Sequence, residues 1–225
     1  MFGLNPAWLL LIVVSLVLGT STQAYIRSRY KKWSKATNSL GLTGAQVARR
    51  MLDANGLTQV TIDIAPGNLS DHFDPKANKV SLSEQVYHNR SVAAMAIACH
   101  ECGHAVQHAR SYVPAAARAV LVPPINIASN VWIFVLLIGV FMSLMELVWL
   151  AIALYSITIV FQLVTLPVEF NASSRALAYI NAYGYIPATE TKGARSVLSA
   201  AALTYVAAAL ISLLQLVYLL GFARR

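Results

Sequence analysis

The chain reads as a mainly α membrane protein, with about four transmembrane helices and a small α+β cytoplasmic unit. Three observations carry that reading. The 225 residues are 57% hydrophobic and only 12% charged, with a mean hydropathy of +0.59, a balance that fits a membrane protein better than a soluble domain. Four apolar runs, residues 7–25, 125–142, 147–166 and 201–222, come close to the roughly 20 residues that cross a bilayer. Between the first and second runs lies a stretch of about 90 residues with the mixed patterning of a small folded unit.

The first run is followed at once by Arg27, Arg29, Lys31, Lys32 and Lys35, and most of the 17 Lys and Arg lie between Arg27 and Arg118. Positive charge beside a span stays in the cytoplasm, so the N-terminus is expected outside and the active region inside. The small residues Gly19 to Ala24 could form a signal-peptidase site, but Met1–Pro6 carries no positive charge, so a retained anchor is expected. Thr43-Gly44 opens an amphipathic helix through Val47, Ala48, Met51 and Leu52, which Asn55-Gly56 stops. Val60–Ile64 alternates as a strand, Pro66-Gly67-Asn68 turns, and Asp71–Asn78 reads as a polar loop. Lys79–Ser83 is a second strand, and Ser91–Arg110 a helix whose first half is apolar. Pro114 and then Pro123-Pro124 close the soluble portion. The expected division is an anchor (1–26), a cytoplasmic unit (27–123), a transmembrane hairpin (124–168), a helix with a cytoplasmic connection (169–200) and a last transmembrane helix (201–225).

Within the 91–110 helix stands His100-Glu101-Cys102-Gly103-His104. Two histidines four apart fall on one helix face, about 6 Å apart along the axis. That spacing suits two imidazoles on one Zn²⁺, with Glu101 beside them to take a proton from water, the H-E-x-x-H pattern of zinc peptidases. The unit is therefore expected to be zincin-like. In such folds a strand holds the substrate extended, and Val80, Ser81 and Leu82 are the candidate edge. Cys99 and Cys102 point off the histidine face and read as small packing residues.

A catalytic zinc site needs a third protein ligand. His108 continues the histidine stripe but lies about 12 Å along the axis from His100, too far to converge. It is expected to cap or support the site. Glu146 falls between the second and third spans, on the opposite membrane face. Glu169 returns to the side of His100, at the end of a span beside Pro167, and is the expected ligand. Ser173, four residues on, is placed to hydrogen-bond the site. Arg175 points off the ligand's face and is expected to make a salt bridge or helix contact.

The runs Thr43–Arg50, Leu69–Pro75, Arg90–Ala94, His100–His108, Leu166–Ser173 and Gly193–Val206 resemble the YugP-like membrane zinc metallopeptidases, the second family of neutral zinc metallopeptidases. The resemblance covers most of the chain and extends in outline to larger gluzincin membrane peptidases. It implies His100, His104 and Glu169 as ligands of one Zn²⁺ per chain and Glu101 as the catalytic acid/base. Where such proteins often carry Asp, residue 171 is Asn, a neutral amide that would orient a zinc histidine less firmly.

The implied chemistry is peptide-bond hydrolysis by a zinc-activated water at the cytoplasmic face of the cell membrane. His72, Arg175, Tyr179 and Tyr183 are candidates to stabilise the oxyanion, His72 also to touch substrate. The partners are then a peptide or protein substrate and membrane lipid, with any protein partner unknown. A site-2-like intramembrane protease would need a Leu-Asp-Gly that is not there, and a non-catalytic scaffold would not need the intact motif. The spans hold too little charge for a transporter. The basic cluster is short and explained by topology, which argues against nucleic acid.

Overall fold

The computed structural model describes residues 6–182 and 186–224. Its elements in order are α1 (Pro6–Trp33), α2 (Gly44–Ala54), β1 (Thr61–Ala65), β2 (His72–Asp74), β3 (Lys79–Ser83), α3 (Glu84–His88), α4 (Val92–Ala109), α5 (Val113–Phe141), α6 (Met145–Ala182) and α7 (Ala188–Ala223). They sort into two compact units. One holds the leading stretch through Gln23, Ala116–Leu166 and Thr204 onward; the other holds Ala24–Ala115 with Pro167–Leu203.

The first unit is built from apolar helix. α1, α5, α6 and α7 are each long and apolar enough to cross a membrane. Leu10, Val13, Leu16 and Val17 on α1 and Phe134, Ile138 and Phe141 on α5 are exposed, an outward surface suited to acyl chains. Inside, Val148, Ile152, Tyr155 and Ile159 of α6 pack with Leu136 of α5 and Leu219 of α7. The Tyr155 hydroxyl is satisfied by Gln215 Oε1 at 3.0 Å, as a buried phenol requires. The α5–α6 turn passes through Ser143 in the left-handed region, φ 58°. At that turn Gly139 lies so near α6 that a β-carbon would stand 2.9 Å from the Val148 nitrogen.

α5 starts at Val113 and runs through Pro123 and Pro124, and α6 runs through Pro167 to Ala182. Proline removes one hydrogen bond and crowds the preceding turn, but helices in apolar surroundings tolerate it when neighbouring groups satisfy the freed carbonyl. Pro114 falls in the first turn of α5, where its missing N–H costs nothing.

The second unit is the α+β part. Thr43 caps α2, its hydroxyl accepting from Gln46 N while the Gln46 side chain accepts from Thr43 N. α2 ends at Asn55, and Gly56 follows at φ 75°, where a side chain would be strained. Arg49 then ties α2 to the chain beyond, donating to the carbonyls of Leu57 (2.9 Å) and Val60 (2.6 Å). The sheet order is β1-β3-β2. β1 runs parallel to β3 with Ile62 opposite Val80, and β2 runs antiparallel with His72 opposite Ser81. β3 is thus the central strand, with Val80 and Leu82 fully buried.

β2 lies inside the stretch read as a polar loop. It is short and flanked by turn residues, so periodicity could not reveal it; Asp74 Oδ1 accepts from Lys76 N (2.8 Å) and Ala77 N (3.2 Å) to close the hairpin. The core of this unit joins Val47, Met51 and Leu52 of α2, Val80 and Leu82 of β3, and Met95 and Cys99 of α4. Ala176 and Ile180 of α6 and Ala194 and Leu198 of α7 complete it.

Candidate metal centre

Ser91 starts α4 by accepting a hydrogen bond from Ala94 N (3.1 Å). The apolar first half of α4 is buried and fixes its rotation. His100 and His104 therefore share one partly exposed face, their rings 4.8 Å apart and nearly perpendicular, 85°. Cys99 and Cys102 are buried free thiols on the core side, where burial pushes both thiols up. The packing reading of these cysteines fits this placement.

Glu169 comes to the same point from α6, only 3% exposed. Its Oε2 lies 3.2 Å from His100 Nε2 and 3.7 Å from His104 Nε2. One ligand atom from each of the three residues falls within 4.8 Å of the others. Zinc bonds of about 2.0–2.1 Å at tetrahedral angles place neighbouring ligand atoms about 3.3–3.4 Å apart. The two spacings to Glu169 bracket that value, and two imidazoles with one carboxylate are a zinc donor set. The residues fit the ion.

Both rings are held from behind. His100 Nδ1 lies 3.2 Å from Ser173 Oγ, one turn beyond Glu169 on α6, which turns Nε2 toward the carboxylate. His104 Nδ1 lies 3.0 Å from Gln107 Oε1. Gln107 was not foreseen: a polar residue just after the motif looks like a surface position, yet it is 1% exposed. Asn171 does not reach a histidine. Its Oδ1 accepts from Gln107 Nε2 (3.1 Å) and from Arg175 Nε (2.7 Å). Arg175 makes that contact along its own helix.

Glu101 follows His100 directly and is 8% exposed. Burial pushes its carboxyl above the usual range; His100 and His104 pull it down, while Asp71 and Glu169 add to the rise. For His104, burial opposes the charged ring, but Glu169, Glu101 and Gln107 together hold its pKa above the ordinary value. A proton and a metal therefore compete for the same nitrogen.

The other expected site residues are placed differently. Val80, Ser81 and Leu82 cannot be an edge, because β3 is paired on both sides and its backbone groups are engaged. His72 is exposed on β2 with its Nδ1 donating to the Ser70 carbonyl at 2.7 Å, a turn contact. His108 is exposed in the last turn of α4, its ring centroid 5.8 Å from that of Phe73. Tyr179 packs against the core, and Tyr183 lies outside the described residues. Asp71 accepts from Ser83 N at 2.7 Å, joining the start of β2 to the end of β3.

Comparison with known proteins supplies the family. The chain is 46% identical over 209 residues to the "Putative membrane protease YugP" of Bacillus subtilis (strain 168), covering 93% of each protein. No solved structure matches it. Residues 8–224 match the family described as "Putative neutral zinc metallopeptidase", and the chain belongs to that family.

Proposed function

We propose that this protein is a membrane-embedded, zinc-dependent peptidase that hydrolyses peptide bonds at the cytoplasmic membrane face. The observation that carries the reading is the meeting of His100, His104 and Glu169 beside a buried Glu101. One Zn²⁺ per chain, held by the two Nε2 atoms and the Glu169 carboxylate, would supply Lewis acidity and a water acidic enough to attack near neutral pH. Glu101 takes the proton of the attacking water on its carboxylate and passes it to the leaving nitrogen. Its buried setting favours the protonated form, which helps hold the proton between the two transfers. Ser173 and Gln107 keep the imidazoles oriented, so little reorganisation accompanies the reaction.

The substrate-aligning role belongs to β2 rather than β3. β2 has a strand on one side only among the described residues, and its Phe73 adjoins His108 of α4. An extended peptide pairing with that free edge would run beside the motif helix. The cytoplasmic assignment rests on the basic residues from Arg27 to Lys35 that follow the first span. The test is cleavage of an unstructured reporter protein by the purified full chain in detergent. Loss of cleavage on chelation and its return with Zn²⁺ support the reading. Cleavage that persists in a metal-free, chelator-treated sample would end it.

A further inference from the structure

We infer that Gln107 is a positioning residue which sets the tautomer of His104 and so prepares its Nε2 to bind metal. The inference rests on the metal-centre reading of the same site and extends it to a side chain outside the ligand set.

Gln107 Nε2 stands 2.7 Å from the backbone carbonyl of Val168, which only accepts. The same nitrogen stands 3.1 Å from Asn171 Oδ1. The polarity of Asn171 is fixed in turn, because the Arg175 Nε 2.7 Å from Oδ1 only donates. Both hydrogens of the Gln107 amide are therefore used on α6. A flipped amide would set its oxygen against the Val168 carbonyl, two acceptors at 2.7 Å. Oε1 must then face His104, 3.0 Å from Nδ1, and it can only accept. The proton of a neutral His104 is thereby placed on Nδ1, which leaves the lone pair on Nε2, the atom 3.7 Å from Glu169 Oε2. An amide buried to 1% exposure with all three of these contacts made is a rigid support. A donor-only arginine and an acceptor-only carbonyl thus determine the state of a ring that neither touches.

The test uses the full-length protein in detergent, freed of metal and titrated with Co²⁺, whose d–d absorbance reports ligand number and geometry. Gln107→Leu is expected to weaken Co²⁺ binding 10- to 100-fold and to change the band shape. Gln107→Glu, held protonated in this buried place, donates to the Val168 carbonyl, keeps its other oxygen for His104 Nδ1 and loses only the bond to Asn171, and it is expected to bind within a few-fold of the unaltered protein. Gln107→Leu loses the bond to His104 and Gln107→Glu keeps it, so a role limited to filling the space between α4 and α6 would leave both variants binding like the unaltered protein. Gln107→Glu binding as poorly as Gln107→Leu overturns the inference, as does Gln107→Leu binding like the unaltered protein. Should Gln107→Leu not fold, Gln107→Asn replaces it: one methylene short of His104, it is expected to bind more weakly than Gln107→Glu, and equal affinity overturns the inference. If the unaltered protein binds no Co²⁺ or Zn²⁺, the metal-centre reading itself falls, and this inference with it.

Discussion

Gly103, inside the histidine motif on α4, lies directly against Ala172 of α6: a β-carbon on Gly103 would stand 2.7 Å from the Ala172 carbonyl oxygen and 3.1 Å from its Cα. That contact is backbone and cannot swing aside. It sets the separation of the helix carrying His100 and His104 from the helix carrying Glu169, three residues before Ala172. Gly103→Ala is expected to push the two helices apart, to cost about 1–3 kcal/mol by overpacking, and to lower bound zinc below one ion per chain. Full zinc content in the folded variant would show that the two helices can part without opening the site.

Glu101→Gln is expected to leave zinc content unchanged and to reduce cleavage by about 10²–10⁴-fold, the usual contribution of a placed general base. Metal analysis and a reporter assay on one preparation check both halves. Normal turnover by a metal-loaded variant would remove Glu101 from the mechanism.

Glu169→Ala is expected to abolish stoichiometric zinc binding, because two histidines alone leave the ion short of a protein ligand. Ser173→Ala removes only the partner of His100 Nδ1 and is expected to weaken affinity by about 10-fold at the mild end of such effects. Competition with a zinc-binding dye orders the two. A Ser173→Ala loss as large as that of Glu169→Ala would contradict the assigned roles.

Leu82→Ala is expected to act on stability rather than on substrate. The side chain is fully buried on the central strand, so truncation should cost about 2–5 kcal/mol. Thermal unfolding would show the loss, with KM per folded protein unchanged. A raised KM without loss of stability would return the substrate edge to β3.

Chelation is expected to lower the thermal midpoint of the unaltered protein and zinc to restore it, because a ligand bound only by the folded state stabilises it. The effect should vanish in Glu169→Ala. A chelator effect of equal size in that variant would place the relevant metal elsewhere.

Much of this was legible in the chain because it is local or compositional. Four spans follow from runs of apolar residues, and a helix period alone puts His100 and His104 on one face. Glu169 could be reached across 65 residues only because carboxylates are scarce, 9 in all, and topology removed its rival Glu146. What the tertiary structure alone decided depends on which helix meets which. Gln107 becomes a buried support, not a surface residue, because Val168 and Asn171 of α6 lie opposite it. β3 becomes the centre of the sheet because a three-residue strand, too short to show a period, pairs beside it. The helices pass their prolines because the apolar surroundings leave the backbone no better partner than itself. Spacing along one helix is written in neighbouring residues, whereas the partner across a helix contact is not.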